Sequence, residues 1–425
     1  MKLVILSALH FAKGSTPEKP FEQGRNADIF LLRTVHRINR WIKPDAVIIH
    51  GPLTDSPDPA ALEGLANYVK MLKMPVFVMR TASDLPSEQF YQIMPRSEAF
   101  LDVEDYRLIP ADHETFCNFM QFNDPARRAV FIHPEDFTPP SCSNAVTLPA
   151  APPLCCGKFP YLVVTLEADT VQTETEELAM PDGLFDSHMH SRYAYCAENL
   201  DIHRQLDLIR AFNLEHFALT EHSGHLYVSK QAYWDKTMLQ RNGLANSTRE
   251  ERVKDYLALL DELDGTPGMI RGFELDVDRF GNVIVEPEDL KRVDLKVGAV
   301  HWLDAGDDRE AMKADFLMRT EALMRAGGHV SAHPFRVFGW SHPPIPTELF
   351  EPMMKLFKKY GVAAEINFHY NMPEPDFFRL CLENGVKLAF GSDTHNLYEL
   401  GEFYANLKFL KEIGGSKNDL FRFDF

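Results

Sequence analysis

Gly183-Leu184-Phe185-Asp186-Ser187-His188-Met189-His190-Ser191 is the stretch on which the reading of the fold turns. Its apolar opening, Gly183–Asp186, predicts a strand that begins straight after Pro181 and Asp182. The strand runs into two histidines spaced i, i+2. Alternate residues of an extended segment face the same way, so two imidazoles there can grip one cation. Alone the pair says little, because a strand-end histidine is more often a satisfied core or surface group than a ligand.

Working outward, further apolar runs fall near Phe217, Ile270, Lys296, Val330, Ala363 and Leu388, separated by helical patterns such as Glu250–Leu263 and Arg309–Arg325. Roughly seven βα units point to a closed or distorted parallel barrel rather than an open sheet. Nearly every strand has a polar tip: His188 and His190, Glu221 and His222, Glu274, His301, His333, Glu365, and Asp393 with His395. In a parallel barrel these tips share one rim, where active sites of such folds are built. Mixed imidazole and carboxylate donors suit Zn²⁺, Mn²⁺ or Fe²⁺ better than Ca²⁺ or Mg²⁺. Two or three such divalent ions lower the pKa of a bridging water and clamp phosphoryl oxygens, so the expected activity is that of a metal-dependent phosphoesterase, a hydrolase.

A chain of 425 residues exceeds the size at which one core keeps growing, so two domains are expected, residues 1–178 and 182–425, with the boundary in the polar, strand-poor run Gln172–Pro181. The first half reads as α/β: strands at Lys2–Ser7, Ala46–Ile49, Val76–Met79, Ala129–Ile132 and Tyr161–Leu166, helices near Ala27–Ile42 and Ala60–Leu72, and an irregular Pro- and Cys-rich loop at Pro139–Gly157. A formal charge of −18 repels polyanions, which disfavours nucleic acid without excluding it and favours a small phosphorylated substrate. The opening MKLVILSALHF reads as a strand, not a signal peptide, and no membrane-spanning run follows, so a cytoplasmic protein is expected. Cys117, Cys142, Cys155, Cys156, Cys196 and Cys381 match no zinc ribbon or disulfide framework and are expected as reduced thiols. A homo-oligomer is left open.

The second half resembles the PHP (polymerase and histidinol phosphatase) family over roughly Asp182–Phe425. The resemblance rests on DSHMHS at Asp186–Ser191, TEH at Thr220–His222, GFELDV at Gly272–Val277, VGAVHW at Val297–Trp302, SAHPF at Ser331–Phe335 and GSDTHN at Gly391–Asn396. It implies a distorted (β/α)7 barrel with a first metal on His188, His190, Glu274 and Asp393. A second is implied on the bridging Glu274 with His301 and His333, and a third on His222 and His395. Where the family usually offers another histidine for the third ion, this chain has Cys196. Either Cys196 ligates as a thiolate, or Glu198 or His203 reaches the site, or the third ion is weak or absent. Glu221 reads as a group that orients a ligand histidine. Glu274, Asp393, His222 and Arg336 are expected to carry catalysis, and Arg192 and Arg336, just past their motifs, to bind the phosphate. Tyr193, Tyr195, Tyr227, Trp234, Trp302 and Trp340 are candidate pocket walls, and His225 and His342 further rim candidates. Histidinol phosphate is one candidate substrate; a nuclease or nucleotide phosphatase, and a non-catalytic scaffold, are the alternatives.

The first half is similar in motif order to a calcineurin-like metallophosphoesterase, an α/β sandwich: LSALH, IIHGPLTD, FVMRTASD and VFIHPED follow one another. Its ligands are largely missing. Ala8 stands where such enzymes have an aspartate, Gly51-Pro52 replaces GD, and Thr81-Ala82-Ser83 replaces GNH. His10, Asp55, Asp84 and His133 survive. Without a bridging aspartate two like cations lack the negative charge that holds them together, so a structural or regulatory module is expected.

Overall fold

The run Lys2–Ser7 shows no alternation, since Leu3, Val4, Ile5 and Leu6 are all fully buried, the pattern of a strand covered on both faces. In the computed structural model, which describes residues 1–11, 26–54, 56–80, 84–94, 100–110, 128–132, 145–148, 159–167, 170–240, 244, 252–303 and 308–423, the chain divides into two compact units, Met1–Ala179 and Met180–Phe425. The first unit contains Lys2–Ser7 (β1), Ala46–His50 (β2), Val76–Val78 (β3), Leu101–Val103 (β4), Tyr106–Pro110 (β5), Arg128–Ile132 (β6), Ala145–Leu148 (β7), Pro160–Glu167 (β8) and Thr170–Glu177 (β9). One five-stranded sheet has the order β3-β2-β1-β8-β9, and a four-stranded sheet the order β4-β5-β6-β7. Leu3, Ile5, Ile48 and Phe77 from the first sheet share an apolar cluster with Tyr106, Leu108 and Val130 from the second, so the sheets pack face to face. The helix Ala27–Arg37 continues as a wider π turn over Ile38–Ile42.

Two expectations for this unit need correction. The run expected to be strand-poor holds β9, which pairs antiparallel with β8 from Pro160↔Glu177 to Glu167↔Thr170. Its threonines suit a pleated backbone, but it lacks an apolar face because it is an edge strand exposed on both sides. The expected loop Pro139–Gly157 includes β7, which pairs parallel with β6; the rest of that stretch lies outside the described residues.

The second unit contains Phe185–Met189 (β10), His216–His222 (β11), Met269–Leu275 (β12), Leu295–Gly298 (β13), Val330–Ser331 (β14), Ala363–Ile366 (β15) and Leu388–Phe390 (β16), all parallel and in sequence order. β10 starts later than expected because Gly183 takes a left-handed φ of 76°, a turn rather than a strand conformation. The seven-stranded sheet nearly closes on itself. Ser187 Oγ donates to the Phe390 carbonyl at 2.9 Å, Asp393 N donates to the His188 carbonyl at 2.8 Å, and Met189 bridges Thr394. An alanine-rich apolar cluster (Ala218, Ala299, Ala332, Ala363, Ala389, with Ile270, Leu295, Val297 and Val330) unites its strands, and Phe185, Phe421 and Phe423 pack against it. Among the described residues no helix is long and apolar enough to cross a membrane. Cys196 and Cys381 are free thiols; the other cysteines lie outside the described residues.

Candidate metal centre

Parallel strands that end together bring their last side chains to one rim, and here Glu274, at the end of β12, becomes the hub. It is fully buried. Its Oε1 lies 3.4 Å from His188 Nε2 and 3.2 Å from both His301 Nε2 and His333 Nε2. Its Oε2 lies 3.6 Å from His190 Nε2 and contacts His222 Nδ1. Asp393 forms a second anionic pole, with Oδ1 3.0 Å from His190 Nε2 and 3.8 Å from His188 Nε2. The His395 ring sits 4.6 Å from that of His190, and its Nδ1 is committed to the Asp393 carbonyl at 2.7 Å. The structure thus gathers His188, His190, His222, Glu274, His301, His333, Asp393 and His395 at one end of the barrel.

The outer face of this cluster fixes the inner one. His188 Nδ1 bonds Glu365 Oε1 at 2.8 Å, His190 Nδ1 bonds Glu221 Oε1 at 3.2 Å, and His301 Nδ1 bonds Asp276 Oδ1 at 2.8 Å. A carboxylate acceptor requires the hydrogen on Nδ1 and leaves the Nε2 lone pair pointing inward, the arrangement seen where histidines ligate metals. The carboxylates are themselves held. Ser191 N and Oγ donate to Glu221 at 3.0 and 2.6 Å, Gly224 N donates to Asp276 at 2.8 Å, and His333 N donates to Glu365 at 2.6 Å. The inward nitrogens His188 Nε2 and His301 Nε2 are buried with no hydrogen-bond partner. Orphaned buried polar atoms are costly, and a cation is the group this donor set fits.

The charges agree. Burial penalises ionised Glu274, yet the imidazoles of His222, His188 and His301 hold its carboxyl well below the usual range. Asp393 is likewise held well below it, because Arg336 and His188 outweigh burial. Burial pushes His190 and His301 down, but the Asp393 and Glu221 contacts of the first and the Glu274 and Asp276 contacts of the second bring each up to about 9. Burial and the Arg336 charge keep His333 well below its ordinary value.

The backbone is contorted where the ligands sit. His333 (φ 30°), Phe335 (φ 68°) and Asp393 (φ 52°) adopt left-handed conformations that non-glycine residues seldom take outside functional sites. Gly391 is there for space: a Cβ on it would lie 1.8 Å from Glu365 Oε1 and 2.7 Å from the His188 Cβ.

Of the expected phosphate contacts, Arg336 is buried in the cluster, with Nη1 2.5 Å from Asp393 Oδ2 and Nη2 2.6 Å from His333 Nε2. Arg192 is exposed, lies over the Tyr193 ring at 5.3 Å and is not drawn into the cluster. Cys196 Sγ lies 3.9 Å from His222 Nε2, whereas Glu198 and His203 are exposed. His225 is buried with its ring 4.1 Å from that of His222; His342 is half-buried, its carbonyl accepting from Arg309. Tyr227 is core, donating to Asp289 at 2.6 Å, while Trp234 and Trp340 are exposed. Sequence reasoning gave no role to Asp276, or to His369, whose ring stacks on His395 at 4.6 Å. Asp276 had a signal, standing two residues after Glu274 and just past the end of the same strand. His369 had none. In the first unit Asp84 is buried and accepts from Leu53 N at 3.0 Å; Asp55, Thr81-Ala82-Ser83 and His133 lie outside the described residues.

No family model matches the chain. A protein of Thermoanaerobacter sp. (strain X514) named "probable phosphatase" is 26% identical over 171 residues, which are 37% of this chain and 64% of that relative. One of the same name from Aeromonas hydrophila is 24% identical over 245 residues, 54% of this chain and 85% of the relative. This chain therefore spans less than two thirds of the first relative's length. Among solved structures, that of a candidate histidinol phosphatase from Listeria monocytogenes covers 52% of this chain and 99% of its own at 15% identity, with a TM-score of 0.37. That of an archaeal phosphodiesterase covers 41% of this chain and 100% of its own at 12% identity, with a TM-score of 0.25.

Proposed function

We propose that the Met180–Phe425 unit is a metal-dependent phosphoesterase that hydrolyses a small phosphomonoester. The observation that carries this reading is the pair of inward, unpartnered imidazole nitrogens beside Glu274, His188 Nε2 and His301 Nε2, each oriented by a carboxylate behind its ring. His188, His190, Glu274 and Asp393 would hold one divalent ion, Glu274 with His301 and His333 a second, and His222 with His395 take part in a third. When bound, such ions supply Lewis acidity toward phosphoryl oxygens and acidify a water molecule. The remaining work falls to the protein. Glu274 and Asp393 supply the charge that keeps cations close together, and Glu221, Asp276 and Glu365 keep the imidazoles in register. Arg336 is the cation placed to meet a phosphate oxygen, its guanidinium already at the Asp393 edge of the cluster. The similarity to proteins named phosphatase supports the same chemistry. The first unit, with Ala8 and Pro52 at its strand ends, serves in this reading as a structural or regulatory module.

The test is elemental analysis of the purified chain combined with phosphate release from amino-acid, sugar and nucleotide monophosphates, with Mn²⁺, Zn²⁺ or Fe²⁺ added in turn. The expected result is about two or three ions per chain, and turnover that a chelator abolishes and metal restores. Turnover that survives complete metal removal would overturn the reading.

A further inference from the structure

We propose that Arg319, on the helix Arg309–Arg325, is a positioning residue for the cation centre: its guanidinium ties together the two rim segments that carry Asp276 and His301 and so holds that pair in register beside Glu274. The inference rests on the reading of this rim as a cation centre and not on the identity of its substrate.

Strand geometry alone does not place this pair. His188, His222 and Glu274 lie within β10, β11 and β12, but Asp276 stands just past the end of β12, and His301 lies beyond β13, which stops at Gly298. Asp276 is held from the end of β11, since Gly224 N donates to its Oδ2 at 2.8 Å and its own N donates to Ser223 Oγ at 2.9 Å. The chain just after each member of the pair meets Arg319. Nη2 donates to the Val277 carbonyl at 2.8 Å, and Nη1 donates to the Trp302 carbonyl. Val277 follows Asp276 directly in sequence, and Trp302 follows His301. One planar fork thus spans the two segments whose side chains meet at 2.8 Å, Asp276 Oδ1 against His301 Nδ1.

Placing a guanidinium here is costly. Arg319 is 1% exposed, and burial pulls it below the ordinary arginine value although Asp315, Asp276 and Asp278 act in the other direction. Its ion pair is with Asp315, one helical turn earlier, at 3.3 Å, and its Nε is buried with no hydrogen-bond partner. An apolar side chain of similar volume would fill the space without desolvating a charge, but it would not hold two carbonyls. A lysine would keep the charge and, with a single nitrogen, lose the fork. Without the tie the Trp302 segment drifts, the Nδ1 contact with Asp276 loosens, and His301 Nε2 no longer stays 3.2 Å from Glu274 Oε1.

The experiment strips the full chain with a chelator and titrates it with Zn²⁺ against a competing chelator, with denaturant unfolding followed in parallel. Relative to the wild type, Arg319→Lys should weaken about one ion per chain roughly 10–100-fold and leave the others within about 2-fold. Because the arginine acts through the pair, Arg319→Lys added to Asp276→Asn should bring no further loss. Wild-type affinity in Arg319→Lys, equal weakening of every ion, or losses that multiply in the double variant would overturn the proposal. Arg319→Met gives the same readout where Arg319→Lys folds poorly, since it occupies the space without a buried charge, and wild-type affinity there overturns the proposal equally. A wild type that takes up no zinc overturns the cation-centre reading and this inference with it. Zinc uptake without phosphate release overturns only the phosphoesterase reading and leaves the Arg319 comparison decisive.

Discussion

At the ends of β1 and β2 the first unit places Ala8, His10, Gly51 and Pro52; at the ends of β10 and β11 the second places His188, His190, Glu221 and His222. Their backbones have much in common. Ala8 (φ 47°) and His10 (φ 46°) are left-handed non-glycine residues, as His333 and Asp393 are in the other unit. Gly51 also has its counterpart in Gly391, since a Cβ on it would stand 2.9 Å from Ala8 N. Both units therefore bear the cost of bent strand ends and close approaches. The second fills that geometry with the clustered carboxylates and imidazoles around Glu274, where the first sets Ala8, Gly51 and Pro52 beside His10. A parallel sheet offers a place where side chains can meet, and the chemistry of those side chains decides whether anything happens there.

The contrast can be broken most forcefully at the hub. Glu274→Ala or Asp393→Ala should lower phosphate release by more than about 10²-fold and reduce bound metal, since each removes a buried charge that no water replaces. Full turnover in both variants would mean that the Glu274 cluster does not carry the hydrolysis. Asp276→Asn and Glu365→Gln sharpen the comparison one layer out. They leave every inward donor in place but withdraw the carboxylate behind His301 or His188, and should weaken metal binding about 10–100-fold by titration against a competing chelator. Gly391→Ala forces a methyl group into Glu365 and should cost about 1–3 kcal/mol in denaturant unfolding. The smallest effect is expected from His10→Ala, which should leave turnover unchanged. A large loss there would show that the first unit takes part in the chemistry.

What was legible in the sequence follows the same division. Each strand of the second unit announced itself, because Phe217, Ile270 and Val330 sit in short apolar runs that end on a histidine or carboxylate. The inward donors could be read from those tips. The layer behind them was legible at Glu221 but not at Glu365, since nothing in the spacing says that Glu365 reaches His188 across the β10–β16 seam, 177 residues away. Arg192 shows the opposite limit, since proximity in sequence to the HxH pair did not bring it into the cluster. In the first unit, β9 escaped notice because an edge strand with both faces in solvent has no hydrophobic period to detect.

The near-closure of the sheet has a consequence for the order of events as the chain folds. His190 and Asp393 meet at 3.0 Å although 203 residues separate them. Contacts of such long range are slow to form, because the intervening chain must surrender its freedom before they repay it. An unfinished or truncated chain that lacks β16 would hold most of the imidazoles but neither Asp393 nor His395. The Glu274 cluster is thus expected to assemble late in folding, and metal uptake should trail the appearance of helical structure in a refolding experiment.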